Sequence, residues 1–255
     1  MLQPRKRLGQ NFLRDPNVIR KIVGSLSGEG PIVEIGPGTG ALTGLLMEKD
    51  PDLTAFEIDD RFVAHLKESH PALDVREQDV LDVDWPAIAA ERGGPLRVIG
   101  NLPYYITTPI LFSLLDAPRG TISEFVVMMQ KEVAQRIVAV PRTKAYGILS
   151  VVLQKLSRPE LLFDVSPNVF YPRPEVTSSV VRFDLNVPEL PVADRHFRNV
   201  VRMAFGQRRK TLRNSLSGIG APVPEAYSSL RAEALTPDDF VTLAGYLGPA
   251  GTRSS

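Results

Sequence analysis

The sequence predicts an α/β fold: a mostly parallel seven-stranded sheet with an antiparallel edge, followed by a small all-helical domain. Short apolar runs alternate with helical stretches through the first 140 residues, as in a parallel sheet covered by helices on both faces. After residue 157, two strand-like runs follow one another without a helix, which indicates an antiparallel addition at one edge. Beyond a proline-rich linker at 187–191, only helical stretches remain.

Seven apolar runs are the predicted strands: Ile32–Ile35, Thr54–Ile58, Leu73–Val75, Leu96–Ile99, Phe125–Met129, Leu161–Val165 and Val180–Leu185. Four helical stretches accompany the first five: Ala41–Met47, Arg61–Ser69, Thr108–Leu115 and Lys131–Val138. Three more follow the linker: Phe197–Phe205, Lys210–Leu216 and Pro237–Leu247. Because the pattern changes at the linker, we expect one domain over residues 1–186 and a second over 187–255.

The composition excludes several classes of protein. With 43% hydrophobic and 23% charged residues, the chain is typical of a soluble globular protein. It contains no cysteine, so disulfides and cysteine-based metal sites or nucleophiles are excluded, and its three histidines argue against a metal cluster. No apolar run approaches the roughly 18 residues of a membrane span. We therefore expect a cytoplasmic protein without a metal or a membrane anchor.

Positive charge is unevenly distributed although the net charge is only +1. Arg5–Arg7 form one basic cluster. No acidic residue occurs over 196–224, a segment that holds Arg198, Arg202, Arg208, Arg209, Lys210 and Arg213. Such a segment indicates contact with phosphates. The alternatives are a solvated charged face, or ion pairs with acids such as Glu225 and Asp238.

A glycine loop and three acids point to a nucleoside ligand. The segment Glu34–Gly40 joins a predicted strand to a helix, and its glycines allow a ligand to approach the backbone closely. Glu57 ends the next strand, where an acid commonly binds ribose hydroxyls. Asp79 follows the third strand, and its carboxylate can accept a hydrogen bond from an adenine amino group. These acids suit an adenosine ligand that carries a positive centre; NAD, or acids that are simply solvated, are the alternatives.

The tetrapeptide Asn101–Tyr104 follows the strand Leu96–Ile99, at the edge where open α/β sheets bind ligands. The amide oxygen of Asn101 can accept a hydrogen bond from an amine. Pro103 stiffens the turn, and Tyr104 offers a face for stacking. The tetrapeptide therefore suits a flat base that bears an amino group, although Asn and Pro are also common in ordinary turns.

Nine motifs occur in the order and spacing of the rRNA adenine N6-methyltransferases: Gly9–Leu13, Glu34–Gly40, Glu57–Asp59, Gln78–Asp79, Asn101–Tyr104, Gln130–Arg136, Ala145–Ser150, Phe170–Val176 and Phe205–Leu212. The chain resembles this family from about residue 5 to about residue 245, and within it the small-subunit (16S) rRNA dimethyltransferases. The resemblance implies a class I, Rossmann-like methyltransferase domain with a helical rRNA-binding domain. It further implies S-adenosylmethionine as methyl donor, S-adenosylhomocysteine as product, and no metal.

The resemblance also implies a substrate and a set of site residues. The substrate is two adjacent adenines in the hairpin loop near the 3′ end of 16S rRNA, in an immature 30S subunit, and each receives two methyl groups. Separately, we expect the enzyme to be a monomer. The implied cofactor site comprises Asn11, Leu13, Gly36, Glu57, Asp79 and Asn101. The implied catalytic residues are Asn101, Leu102, Pro103 and Tyr104.

Our mechanistic hypothesis is that the Asn101 side-chain oxygen and the Leu102 carbonyl accept the two N–H bonds of the target amine. Tyr104 stacks on one face of the base and Phe170 on the other, unless Phe170 is a core residue. Phosphates are bound by Arg208, Arg209, Lys210 and Arg213, with Arg5 and Arg7 as further candidates.

Three other functions are alternatives to dimethylation of 16S rRNA. A 23S rRNA adenine methyltransferase shares the first half of the motifs, but Tyr146–Ser150 and the segment from Arg208 to Leu216 favour the small-subunit enzyme. A non-catalytic ribosome-assembly or transcription factor on the same fold would not need Asn101–Tyr104 intact. An NAD-dependent oxidoreductase lacks a convincing hydride-transfer partner.

Overall fold

The computed structural model describes Arg5 and residues 9–248. They form two compact units. The first contains the described residues up to Ala134 together with Glu160–Asn186, and the second contains Gln135–Pro159 together with the described residues from Val187 onward. This division differs from the predicted one, because Gln135–Pro159 groups with the C-terminal helices.

The first unit is built on a seven-stranded sheet. Its strands are β2 (Ile32–Ile35), β3 (Thr54–Glu57), β4 (Asp74–Glu77), β5 (Leu96–Asn101), β6 (Ile122–Gln130), β7 (Arg158–Val165) and β9 (Ser178–Asp184). They lie in the order β4-β3-β2-β5-β6-β9-β7. Strands β2 to β6 are parallel, and β9 runs antiparallel to β6. The predicted α/β class, strand number and antiparallel addition are confirmed.

Six helices begin in this unit: α1 (Pro16–Val23), α2 (Thr43–Lys49), α3 (Asp60–Ser69), α4 (Trp85–Arg92), α5 (Thr107–Asp116) and α6 (Lys131–Ile137). Pro at the first turn and a capping Asp15 explain the start of α1. A two-residue strand, β1 (Phe12–Leu13), pairs antiparallel with β8 (Phe170–Tyr171) outside the main sheet. This small ladder ties the N-terminal segment to the proline-rich segment before β9.

The central strands are apolar on both faces because helices cover both sides of the sheet. Ile32, Val33, Val98 and Ile99 are fully buried. Glycine at position 100 brings β5 close to β2, since a Cβ there would lie 2.6 Å from the Ile35 carbonyl oxygen. The sheet order changes direction between β2 and β5: β3 and β4 lie on one side and β6 on the other. Open α/β sheets bind ligands at such a point.

The second unit is helical. Its helices are α7 (Ile148–Leu156), α8 (Asp194–Gly206), α9 (Leu212–Ser215), α10 (Glu225–Ser228) and α11 (Pro237–Leu247). Phe197 and Phe240 are fully buried, and the buried Tyr146 donates its hydroxyl to the Leu235 carbonyl at 2.8 Å. Within the described part of the chain, no helix combines the length and apolar character needed to span a bilayer.

Candidate functional site

A pocket opens at the carboxyl ends of β2, β3 and β5, where the strand order changes direction. The N-terminal segment Gly9–Leu13, the glycine loop after β2 and the tetrapeptide Asn101–Tyr104 all line it. These segments are far apart in the sequence and meet because parallel strands end at one edge of the sheet. The pocket lies entirely within the first unit.

The glycine loop needs glycine for two separate reasons. Gly36 and Gly38 adopt left-handed backbone conformations with φ of 61° and 54°. A Cβ at Gly38 would lie 3.1 Å from the Phe12 ring, whereas a Cβ at Gly36 would have no neighbour within 4 Å. The loop therefore packs tightly against the N-terminal segment at Gly38 and leaves open space for a ligand at Gly36.

Glu57 fixes this loop through its carboxylate. One oxygen accepts the Gly38 N–H at 3.0 Å, and the other accepts the N–H groups of Ile58 and Asp59 at 2.9 Å. Burial raises the pKa of Glu57, and the three backbone hydrogen bonds act in the opposite direction. The oxygen that accepts the Gly38 N–H has a second lone pair, so Glu57 can hold the loop and still accept a hydrogen bond from a ligand hydroxyl.

Glu34, the first of the three acids predicted at the strand ends, also lines the pocket, although it is not among the predicted cofactor-binding residues. It is 1% exposed and accepts a hydrogen bond from the Thr43 hydroxyl at 2.7 Å. Burial, with repulsion from Glu57, raises the pKa of Glu34 to about 8, although the Thr43 hydrogen bond acts against this shift. The available signal was a charged residue inside the apolar strand Ile32–Ile35, which is unusual unless the residue has a function.

The other predicted cofactor residues line the same pocket. Asp79 is half-buried, and its carboxylate accepts the Leu81 N–H at 2.9 Å. Asn11 and Leu13 reach the pocket from the N-terminal segment. The structure adds two apolar residues that the sequence reasoning missed: Ile58 and Leu81 line the pocket while 53% and 39% exposed.

Asn101 has its amide orientation fixed by a backbone carbonyl. Its Nδ2 donates to the Asn11 carbonyl oxygen at 2.9 Å. A carbonyl can only accept, so the nitrogen must face Asn11 and the oxygen must face away from it. The next residue, Leu102, is anchored by its N–H to the Met128 carbonyl at 3.1 Å. Asn101 therefore presents an acceptor oxygen, which is the group that an amine N–H requires.

Pro103 and Tyr104 complete the turn after β5. The Pro103 carbonyl accepts the Ile106 N–H at 3.2 Å and the Thr107 hydroxyl at 3.0 Å, which stiffens the entry to α5. The Tyr104 ring is half-buried, and its hydroxyl lies 2.7 Å from the Ser178 Oγ. Burial raises the pKa of Tyr104, so this hydroxyl stays neutral.

Phe170 occupies a different position from the one expected of a base-stacking residue. It is 6% exposed, belongs to the hydrophobic core and is paired with Leu13 in the β1–β8 ladder. It does not belong to the pocket lining. Its position matches the alternative left open by the sequence, a core aromatic beside a proline turn, and its contact with the base stays a prediction.

The N-terminal segment is held over the pocket by Asp59. The Asp59 carboxylate binds Arg61 at 2.6 Å, the Gln10 amide at 3.1 Å and the Arg5 guanidinium at 3.4 Å. Hydrogen bonds from Arg61 and Gln10 hold the pKa of this carboxyl well below its usual range. Arg5, a predicted phosphate-binding residue, is thus engaged in an ion pair. Arg7, the other candidate near the N-terminus, lies outside the described residues.

The predicted phosphate-binding residues of the second unit fall into two groups. Arg208 pairs with Glu233 at 3.4 Å and donates to the Lys144 carbonyl at 2.9 Å. Arg213 pairs with Glu225 at 3.5 Å, as the ion-pair alternative expected. Arg209 and Lys210 are exposed, and among the described residues no acid lies in ion-pair range of either side chain. These two cations are therefore the better candidates for phosphate contacts.

The sheet order, the glycine loop and the acids at the strand ends define a class I methyltransferase fold. Residues 1–239 match the family described as ribosomal RNA adenine dimethylase. The chain belongs to this family, and the predicted family and enzyme class are confirmed.

Two curated relatives cover nearly the whole chain. A protein of Salinibacter ruber named ribosomal RNA small subunit methyltransferase A is 55% identical over 256 residues, covering 96% of this chain and 85% of that protein. A protein of Chlorobium phaeobacteroides with the same name is 46% identical, covering 96% of this chain and 94% of its own length.

Two solved structures share the fold over most of the chain. A dimethyladenosine transferase from Plasmodium falciparum has a TM-score of 0.78 at 23% identity, covering 91% of this chain and 95% of its own. The 23S rRNA methyltransferase ErmE has a TM-score of 0.68 at 26% identity, covering 92% and 99%. The match to methyltransferases argues against the NAD-dependent oxidoreductase.

Proposed function

We propose that this protein dimethylates the N6 amines of two adjacent adenines in the hairpin loop near the 3′ end of 16S rRNA. It acts as a monomer, in the cytoplasm, on the immature 30S subunit, and uses S-adenosylmethionine as methyl donor. The observation that carries the proposal is the amide of Asn101, which presents its oxygen in the same pocket as Glu57 and Asp79. An acceptor for an amine thus shares a cleft with groups suited to a nucleoside.

The pocket lining fits the methyl donor chemically. Glu57 and Asp79 supply two carboxyl groups in one cleft, which suits a ligand with a positive centre. Glu34 adds a third carboxyl group, which its raised pKa keeps largely neutral near pH 7. Ile58 and Leu81 are apolar side chains exposed within the lining, which suits a flat adenine ring. When bound, the cofactor supplies an electrophilic methyl group on its sulfonium. Asn11, Leu13, Gly36, Glu57, Asp79 and Asn101 would hold it.

The residues of the chain act by orienting the target amine. The lone pair of an adenine amine is delocalised into the ring, so the site must draw the nitrogen toward tetrahedral geometry rather than supply a strong base. The Asn101 oxygen and the Leu102 carbonyl accept its two N–H bonds and turn the lone pair toward the cofactor. Positioning of this kind can supply about 7–11 kcal/mol of barrier reduction in the best cases.

Tyr104 holds the ring of the target base. Base–aromatic stacking is worth roughly 1–3 kcal/mol per base. This gain offsets part of the few kcal/mol that unstacking the adenine from its loop costs. Because one N–H remains after the first transfer, the pocket must then admit a monomethylamine that has rotated.

The small-subunit substrate is favoured over the 23S alternative by the names of the curated relatives, which are 46% and 55% identical, against 26% for ErmE. The proposal is tested by incubating the protein with labelled donor and, in separate reactions, 30S particles from a strain that lacks the modification and unmodified 23S rRNA, and then mapping the methylated bases. We expect dimethylation at two adjacent adenines of the 3′-terminal hairpin. Labelling of 23S rRNA instead would identify the alternative enzyme, and no labelling would favour a non-catalytic assembly factor.

A further inference from the structure

The Tyr104 hydroxyl is bound to a serine on another strand of the sheet. The two oxygens of Tyr104 and Ser178 lie 2.7 Å apart. Ser178 is fully buried and lies opposite Gln130 in the β6–β9 ladder. Two residues earlier in β6, Met128 pairs with Asn101 and accepts the Leu102 N–H. The acceptor Asn101 and the anchor Ser178 are therefore fixed to the same central strand, at the same edge of the sheet.

Hydrogen bonds constrain the backbone around Tyr104, whereas packing and the hydroxyl contact set the position of its half-buried ring. Hydrogen bonds from Leu102 to Met128 and from Ile106 to Pro103 hold the turn. The tyrosine side chain still has two rotatable torsions, χ1 and χ2. A hydrogen bond at the para position restrains χ1, because rotation about χ1 moves the hydroxyl farther than any other atom of the ring. It acts on χ2 only through the preference of the phenolic O–H for the plane of the ring.

We propose that Ser178 is a positioning residue that fixes the Tyr104 ring against the target base. The proposal rests on the proposed function and assigns no contact between Ser178 and the substrate. We call the hydrogen bond between Tyr104 and Ser178 the tether. Without the tether, Tyr104 would still offer a stacking surface, but its ring could swing about χ1 and the base would tilt with it. Small misplacements of a reacting group are costly, with losses of up to about 100-fold for a shift near 1 Å.

The second methyl transfer should depend on the tether more strongly than the first. In the first transfer, two N–H bonds can be held by Asn101 and the Leu102 carbonyl. In the second, one N–H remains, so the orientation of the amine depends more on how firmly the ring holds the base. Loss of the tether should therefore leave an excess of monomethyladenine.

A purely structural role for Ser178 can be separated by a matched control on the same strand. Ser179 is the next residue, is equally buried, and donates to the Asp164 carboxylate at 2.6 Å. Neighbouring side chains on a strand point to opposite faces, so Ser179 does not face Tyr104. Ser179→Ala thus removes a comparable buried hydrogen bond from β9 without touching the tether.

The experiment measures kcat, KM for undermethylated 30S particles and the ratio of mono- to dimethyladenine at equal total methylation. We expect Ser178→Ala to lower kcat by roughly 10- to 100-fold at nearly constant KM and to raise the monomethyl fraction. Tyr104→Phe should give a similar loss, and the double variant should lose no more than either single one. Ser179→Ala should retain the product ratio of the unmodified enzyme, because this ratio does not depend on how much enzyme is folded.

The experiment gives different results depending on whether the tether or the proposed function is wrong. If the unmodified enzyme transfers methyl groups but Ser178→Ala has the kcat and product ratio of Ser179→Ala, the tether is refuted alone. Multiplicative losses in the Ser178→Ala, Tyr104→Phe double variant would also refute it. An unmodified enzyme that transfers nothing to the particles would overturn both proposals.

Discussion

At the scale of single residues, the orientation of the Asn101 amide is the contact that most directly bears on chemistry. Its nitrogen is bound to the Asn11 carbonyl, so its oxygen is the end offered to an amine. The same contact links the tetrapeptide at the end of β5 to the N-terminal segment that lines the pocket. One side chain therefore joins the proposed amine site to the proposed cofactor site.

Replacement of Asn101 by alanine should separate binding from chemistry. We expect Asn101→Ala to leave cofactor binding measurable, because Glu57, Asp79 and the glycine loop are untouched. Methyl transfer should fall by about 100-fold or more, as when a single positioned group that acts on the reacting centre is removed. Calorimetric titration with the cofactor and single-turnover methylation of 30S particles measure the two effects. Near-normal transfer by the variant would refute the orienting role.

Glu34 should make the stability of the protein depend on pH. Its pKa is raised from 4.5 to about 8 in the folded chain, so folding favours its neutral form. The resulting stability is fully present below a pH of about 4.5 and is lost as the pH rises through about 8. Glu34→Gln keeps the shape of the side chain and cannot ionise. We therefore expect the stability of the unmodified protein to fall relative to Glu34→Gln across this pH range.

Urea unfolding of both proteins at a series of pH values, without cofactor, measures this difference. The expected result is two curves that diverge with rising pH, the variant becoming the more stable protein. Parallel curves would show that Glu34 has the same pKa in the folded and unfolded chains.

At the scale of elements, the pocket depends on how closely β2 and β5 approach one another. A Cβ at position 100 would lie 2.6 Å from the Ile35 carbonyl oxygen, which is backbone and cannot rotate away. We expect Gly100→Ala to destabilise the protein by about 1–3 kcal/mol, the usual cost of overpacking. Because β5 ends at Asn101, methyl transfer should fall as well.

Gly44→Ala is the matched control for this variant. Gly44 lies within α2, and its added Cβ would meet only the His70 ring at 3.8 Å. Alanine in a helix is favoured over glycine by roughly 0.5–1 kcal/mol. Thermal unfolding should thus show a higher midpoint for Gly44→Ala and a lower one for Gly100→Ala. A lower midpoint for both would mean that the strand spacing is not the cause.

Long apolar strands and the glycine loop could be predicted from the sequence because their signals are local. The five parallel strands were found within a few residues of their bounds, and Glu57, Asp79 and Asn101 were predicted at their ends. The β1–β8 ladder could not be predicted from the sequence, since Phe12 and Leu13 form a strand only by pairing with residues about 160 positions away. The burial of Phe170 depends on the same pairing.

The residues missed within the site have a related cause. Ile58 and Leu81 look like ordinary apolar residues in the sequence. Only the structure shows that both are exposed inside a pocket. Ser178 is one of two adjacent serines, and only the three-dimensional position of Tyr104 distinguishes it from Ser179. Exposure and long-range contacts of this kind have no local pattern.

At the scale of the whole molecule, affinity for RNA must come from local surfaces, because 30 Lys and Arg are balanced by 29 Asp and Glu. The cations that pair with acids are partly neutralised already. Arg208 and Arg213 belong to this group, whereas Arg209 and Lys210 are exposed within a segment that contains no acid. The charge pattern in the sequence therefore predicts a segment for RNA contact but does not distinguish its exposed cations from its paired ones.

Neutralising Arg209 and Lys210 together should weaken binding to 30S particles and flatten its dependence on salt. Each phosphate contact contributes roughly 0.7–0.9 to the slope of log K against log salt concentration, so the double variant Arg209→Gln, Lys210→Gln should lose roughly 1.5 from that slope. The control is Arg208→Gln, Arg213→Gln, which removes the same charge from residues already engaged in ion pairs. Binding measured across a salt titration should show a clearly smaller change of slope for the control. Equal changes in the two double variants would mean that the segment acts through its total charge, and an unchanged slope in the first would place the phosphate contacts elsewhere.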